Sequence, residues 1–262
     1  MCEKRNIKII IAYDGAAYNG WQRLGNNDTK RTVQGTIELA LKQCLNEKVD
    51  LVASGRTDAG VHALGQVANF YMTNSMLLPE IKCKLNEILP ADIRILTISE
   101  VPLKFHSRYD AVSKEYEYHI DLRSKPDVFT RAYFLSFTEK LNIKSMKEAA
   151  SYMLGKHDFA GFSSKMRDDR STVRTIESIT ITQEEDKLFI RVKGDGFLYN
   201  MVRIIVGTLL EAGTGVRTPE SVLEILRTKD RQLAGYTVNS HGLMLRHVWY
   251  PLDVLADKGS NC

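Results

Sequence analysis

The order in which apolar periodicity switches between alternation and a repeat of about 3.6 residues constrains this chain more than any single residue does. Ile7, Ile9 and Ile11 can share one face of a strand running from Ile7 to Tyr13. Helical spacing follows at Val33, Ile37, Ala40, Leu41, Cys44 and Leu45, with Thr32 placed to cap the N-terminus. Two short apolar runs, Val49 to Ala53 and Gln66 to Tyr71, flank a glycine-rich turn. Pro79 then opens a helix through Ile81, Leu85 and Ile88 that closes before Pro90, and Ile93 to Ile98 reads as a strand. The order is β-α-β-β-α-β.

From Val112 the same order begins again. A strand reaches Asp121, a helix lies near Ile143 to Leu154, and strands follow at Val173 to Thr182 and Leu188 to Lys193. A helix from about Phe197 to Ala212 places Leu198, Met201, Val202, Ile205 and Leu209 inward; a short helix starts at Pro219, and Leu243 to Trp249 can close the sheet. The chain therefore reads as α+β, built of two ferredoxin-like halves whose antiparallel sheets, side by side, can make a long groove. Pro102 within Val101 to Phe105 marks the joint, giving halves at 1–104 and 105–262, with no sequence repeat visible across it. Such a fold hosts many activities, so function needs a site.

Composition narrows the classes. The 262 residues suffice for one large domain or two ordinary ones, each burying a core without staples. Cys2, Cys44, Cys83 and Cys262 lie far apart and form no C-x-x-C pair, which argues against a zinc site, a redox motif or a disulfide framework. Three isoleucines behind Glu3, Lys4, Arg5 and Lys8 are too few for a signal segment or membrane span, so the chain reads as cytoplasmic, with reduced thiols. A net charge of +4 and a pI near 8.7 permit a polyanionic partner without demanding one. Lys165, Arg167, Arg170 and Arg174, against Asp168 and Asp169, form either a phosphate-gripping loop or a solvated one.

The connection between the two central strands of the first half reads Gly55-Arg56-Thr57-Asp58-Ala59-Gly60-Val61-His62-Ala63. By itself it is a tight turn whose Asp58 and Thr57 hydrogen-bond local amides. Arg56, two residues before the only carboxylate of the loop, could hold a carboxylate ionised or meet RNA. His62, His106 and His157 stand outside ligand spacing and read as partners of local backbone groups.

This loop resembles the catalytic motif of the tRNA pseudouridine synthase A family. Further blocks resemble that family in order: Tyr13-Asp14-Gly15 with Gly20-Trp21-Gln22-Arg23, Arg31-Thr32-Val33-Gln34-Gly35, and Phe105-His106-Ser107-Arg108-Tyr109 with Lys114-Glu115-Tyr116-Glu117-Tyr118. Gly155-Lys156-His157-Asp158-Phe159 with Phe162-Ser163, and Gly196-Phe197-Leu198-Tyr199-Asn200-Met201-Val202-Arg203 with Ile205-Val206-Gly207-Thr208, complete the series. The stretch Leu24 to Lys30 is longer than the family's usual spacing, and Lys165 to Arg170 matches no family pattern.

The resemblance implies a pseudouridine synthase fold with an RNA-binding cleft, and an enzyme that isomerises uridine in tRNA without cofactor or metal. It implies Asp58 as nucleophile, Arg56 as the residue that displaces and holds the base, and Tyr116 stacked on uracil with its hydroxyl serving proton transfer at C5. It also implies Arg203 as the partner that keeps Asp58 ionised and oriented, with Tyr118 left to the core. The implied targets are uridines 38, 39 and 40, on the 3′ side of the anticodon stem-loop, and the implied assembly is a homodimer sharing one tRNA. Arg23, Lys165, Arg167 and Arg170 are candidate RNA contacts. Two other readings stand beside this one: an RNA-binding protein without catalysis, and a pseudouridine synthase for another RNA.

Overall fold

The computed structural model describes residues 3–23, 31–164 and 171–255. Among these the chain is a mixed α+β protein of ten strands and six α-helices. Its contacts divide it into two units, Met1–Val112 with Leu245–Cys262, and Ser113–Met244.

The first unit follows the order read from periodicity: β1 (Arg5–Tyr13), α1 (Val33–Leu45), β2 (Val52–Ala53), β3 (His62–Met72), α2 (Leu78–Ile88) and β4 (Ile93–Val101). β1 lies between β4 and β3, antiparallel to both, with Ile7 opposite Phe70 and Ile9 opposite Ala68; β2 pairs on β3. Ile7, Ile9 and Ile11 are fully buried, as are Val33, Ile37 and Leu41 of α1 and Ile81 and Leu85 of α2. Each such side chain contributes about 1.5–3 kcal/mol over exposure to water. Thr32 caps α1 as its sequence position predicts, its hydroxyl accepting from the Gly35 N–H at 3.3 Å.

Two boundaries differ from the periodic reading. β2 keeps only two residues of the run Val49 to Ala53, and β3 begins at His62 rather than Gln66. From Gly65 to Phe70 every residue of β3 is buried, so the alternation that betrays a half-exposed strand is missing.

The second unit contains β5 (Ser113–Asp121), β6 (Leu135–Ser136), α3 (Ile143–Ser151), β7 (Gly155–Asp158), β8 (Val173–Glu184), β9 (Lys187–Gly194), α4 (Met201–Thr214) and α5 (Ser221–Thr228). β9 joins β5 to β8, β7 lies on β8, and β6 runs parallel to β5. β6 and β7 are too short to leave a periodic trace and were not expected. The strand Leu243–Trp249, here β10, forms as read, but from Leu245 on it belongs to the first unit, next to β3. A final short helix, α6, covers Leu252–Leu255.

Candidate active site

In the first unit three of the sequence blocks converge on the loop between β2 and β3. The Tyr13 hydroxyl, at the end of β1, meets Thr57 Oγ1 at 2.8 Å, and the Trp21 N–H donates to the Thr57 carbonyl at 3.0 Å. Both aromatic side chains are buried and their rings pack at 5.8 Å. Burial pushes the Tyr13 phenol far above its ordinary range, so it serves as a neutral hydrogen-bonding group. The Asp58 carbonyl accepts from the Val61 N–H at 3.2 Å, and the Gly60 N–H donates to the Tyr18 carbonyl at 3.4 Å.

Gly20 explains why the opening motif and the loop pack so closely. It adopts φ +85°, and a Cβ there would stand 2.8 Å from the Thr57 carbonyl oxygen and 3.2 Å from both the Asp58 carbonyl carbon and the Ala59 nitrogen. α1 is stapled to the same place, since Val33 N–H donates to Gly20 at 3.2 Å and Gln34 N–H to Trp21 at 2.9 Å. Behind the loop, Gln66 Nε2 donates to the Gly55 carbonyl at 3.0 Å, and its Oε1 accepts from the Ser54 hydroxyl at 2.7 Å. The result is a loop fixed on both sides of a half-buried Asp58, with Arg56 exposed two residues before it.

In the second unit, Tyr116 sits on β5 opposite Val192, 8% exposed, its ring edge-on to Phe197 at 5.2 Å. Phe197 was expected inside a helix. α4 instead starts at Met201, because Asn200 takes a left-handed conformation at φ 60° and the chain before it turns. Leu198 is accordingly half-buried rather than core. Tyr118 is a core residue, as read, with no exposure and its hydroxyl donating to the Asn239 carbonyl at 2.7 Å.

Arg203 stands in the first turn of α4, half-buried. Its Nε donates to the Val238 carbonyl at 2.7 Å and its Nη1 to Asn200 Oδ1 at 2.9 Å. The stretch 235–238 reaches the helix because Gly207 has no side chain: a Cβ there would lie 1.9 Å from the Tyr236 carbonyl oxygen. Val238 and Asn239 thus tie Arg203 to Tyr118, two residues along β5 from Tyr116. Gly20 and Gly207 stand inside motifs of the sequence, but no pattern marks Val238, since the group that holds Arg203 there is a backbone carbonyl.

His106 Nδ1 accepts from the Arg108 and Tyr109 amides at 3.1 and 3.3 Å, and His157 Nε2 donates to the Leu154 carbonyl at 2.8 Å, both local backbone partners. His62 Nδ1, by contrast, stands 3.0 Å from the Gly15 amide and 2.9 Å from Asp14 Oδ1, so it meets a carboxylate as well. Arg23 is exposed and stands 3.7 Å from Glu38. Lys165, Arg167 and Arg170, and the stretch Leu24 to Lys30, lie outside the described residues. Among the described residues no group of His, Cys, Asp and Glu could hold a metal ion, and no helix is long and apolar enough to cross a membrane.

The model of a family described as tRNA pseudouridine synthase matches residues 9–110 and 149–251. The chain belongs to the tRNA pseudouridine synthase family. Among curated relatives, the tRNA pseudouridine synthase A of Bacillus sp. (strain KSM-64) is 46% identical over 93% of this chain and 98% of its own length. That of Clostridium kluyveri is 44% identical over 94% of this chain and 100% of its own. A solved archaeal box H/ACA sRNP Nop10-Cbf5 complex overlays on 78% of this chain and 43% of its own at a TM-score of 0.36 and 11% identity, too loosely to add to the assignment. As a tRNA pseudouridine synthase, the chain is an isomerase that converts uridine to pseudouridine in tRNA.

Proposed function

We propose that this synthase acts on uridines of the 3′ side of the tRNA anticodon stem-loop, positions 38 to 40, and that Asp58 is its nucleophile. The reaction breaks the bond from ribose C1′ to uracil N1 and forms one from C1′ to C5; the proton lost from C5 balances the proton gained at nitrogen. No electron is gained or lost, so the residues needed are a nucleophile, a base holder and a proton carrier. The target base, if stacked, must first leave its stack, at a cost of a few kcal/mol. Exposed Arg56 displaces and holds it. Tyr116 stacks on the uracil and carries the C5 proton, and Arg203 orients the Asp58 carboxylate and keeps it ionised.

The observation that carries this reading is the fixation of the Asp58 loop at Thr57 by Tyr13 and Trp21, which favours a carboxylate held in one geometry before substrate arrives. The two hydrogen bonds that hold Arg203 at its Nε and Nη1 favour the same division of labour, a guanidinium aimed by its own unit. The β-α-β-β-α-β order of the first unit supports a ferredoxin-like reading of that half; on the proposed reading the second half is of the same kind, with RNA in a groove along their sheets. On the same reading the enzyme works in the cytoplasm as a homodimer that shares one tRNA, with Arg23, Lys165, Arg167 and Arg170 on phosphates.

The test is release of tritium from uracil C5 of labelled tRNA. The natural chain is expected to release it, Asp58→Ala to release none, and a tRNA lacking uridines on the 3′ side of the anticodon arm to yield none. Undiminished release by Asp58→Ala would refute the nucleophile; release indifferent to the anticodon arm would refute the target.

A further inference from the structure

The segment 105–110 in the first unit presents an aromatic side chain to solvent on a rigid mount. Tyr109 is 77% exposed, yet its ring packs on His106 at 4.2 Å with 32° between planes. His106 cannot swing away, because its Nδ1 accepts from two amides, Arg108 and Tyr109, and its own N–H donates to Asp110 Oδ2 at 2.8 Å. The Asp110 N–H closes the turn on the His106 carbonyl at 3.1 Å. Ser107, fully buried, nails the turn down: its N–H donates to Asn69 Oδ1 at 2.9 Å, its hydroxyl to the Val52 carbonyl at 2.5 Å, and its carbonyl accepts from the Tyr250 hydroxyl at 2.6 Å.

The place of this mount matters. Val52 belongs to β2, which runs through Ala53 straight into Ser54, Gly55 and exposed Arg56. An exposed tyrosine packed at a tilt against a second ring, with exposed Arg108 beside it, is therefore anchored on the strand that feeds the Asp58 loop. Its stiffness removes the entropy that a free surface tyrosine would lose on contact. The Asp110 carboxylate, the acidic group of the turn, is engaged by the His106 amide.

We propose that Tyr109, backed by His106, is a stacking platform for one unpaired nucleobase of the bound tRNA, distinct from the target uridine. Every base offers a flat π-face, and flipping the target leaves its neighbours in need of a new one. Arg108 adds charge for the accompanying phosphate. The inference rests on the reading that tRNA binds over the Asp58 loop.

The experiment compares the full natural chain with Tyr109→Phe, Tyr109→Trp and Tyr109→Leu by tritium release at varied tRNA concentration. The aromatic variants are expected to match the natural chain. Tyr109→Leu, apolar but without a π-face, is expected to raise KM by roughly five- to 140-fold, the range spanned by loss of one base–aromatic stack, with kcat unchanged. Tyr109→Trp should also show indole fluorescence quenched by tRNA beyond any change in the natural chain. Equal KM for the Leu and Phe variants would overturn the platform, as would a Leu variant that changes the sedimenting mass of the protein and leaves KM alone, the mark of a contact between copies. If the natural chain releases no tritium, the functional reading fails instead, and filter binding of tRNA still separates the Leu variant from the Phe variant.

Discussion

Replacing Gly20 by alanine tests whether the closeness of the opening motif to the Asp58 loop matters for turnover. The alanine must hold φ +85°, at a cost of about 1–2 kcal/mol for a side chain in the left-handed region. Its Cβ would also stand 2.8 Å from the Thr57 carbonyl oxygen, which must retreat by about 0.6 Å to reach ordinary contact at 3.4 Å. Overlap of that kind adds about 1–3 kcal/mol. The sum, about 2–5 kcal/mol, corresponds to a fall in Tm of roughly 4–20 °C for a chain of this size. The carbonyl that moves is bonded to the amide of Asp58, and a misplacement of about 1 Å is worth about a hundredfold in rate, so kcat should fall between roughly tenfold and a hundredfold.

Gly215 supplies the control. It has φ +80° with nothing within 4 Å of a Cβ, so Gly215→Ala carries the backbone cost alone, about 1–2 kcal/mol, and should leave kcat untouched. Calorimetry through the unfolding transition and single-turnover tritium release well below either Tm separate the two effects. Were Gly20→Ala to lose stability as expected yet turn over like Gly215→Ala, the link from loop placement to chemistry would be refuted.

On the proposal that Arg203 orients Asp58 and meets no phosphate, Arg203→Ala should lower kcat by about a hundredfold with the affinity for tRNA little changed; an equal loss of binding in a filter assay would sink that division. Acid stability should depend on Glu117, where burial opposes the charge but hydrogen bonds from His119 and Arg191 outweigh it and hold the carboxyl down to about 2, against an ordinary 4.5. A folded-state value below the unfolded one contributes stability above about pH 4.5 that is lost as pH falls toward 2, so the natural chain should unfold more steeply across that window than Glu117→Gln. Parallel acid-unfolding curves for the two would show that the cluster contributes nothing.

How far the sequence could be read depended on what kind of group does the work. α1 was legible from Thr32 and the spacing of Val33, Ile37 and Leu41, because a cap and an amphipathic stripe are local side-chain signals. β3 was only half legible, since a strand buried on both faces loses its alternation, and β2 with two residues has no period at all. Phe197 was assigned to a helix because the apolar run continues through it, while the break comes from one left-handed residue, Asn200. The last strand was found at its full length, Leu243–Trp249, because its apolar residues leave a local signal, whereas the grouping of its residues from Leu245 on with the first unit leaves none.

The candidate site divides in the same way. Asp58, Arg56, Tyr116 and Arg203 could be named because each stands in a side-chain motif, and the roles proposed for them belong to their side chains. Besides the Tyr13 hydroxyl and Asn200 Oδ1, the groups that hold their surroundings are peptide atoms, the Thr57 carbonyl under Trp21 and the Val238 carbonyl on Arg203, and any residue carries such a carbonyl. Their only trace in the sequence is the glycine opposite, Gly20 against Thr57 and Gly207 against Tyr236, where a single Cβ would push the aiming strand away. It follows that a change at Val238 which keeps an apolar side chain of similar volume leaves Arg203 aimed, whereas one carbon added at Gly207, on the neighbouring turn of α4, does not.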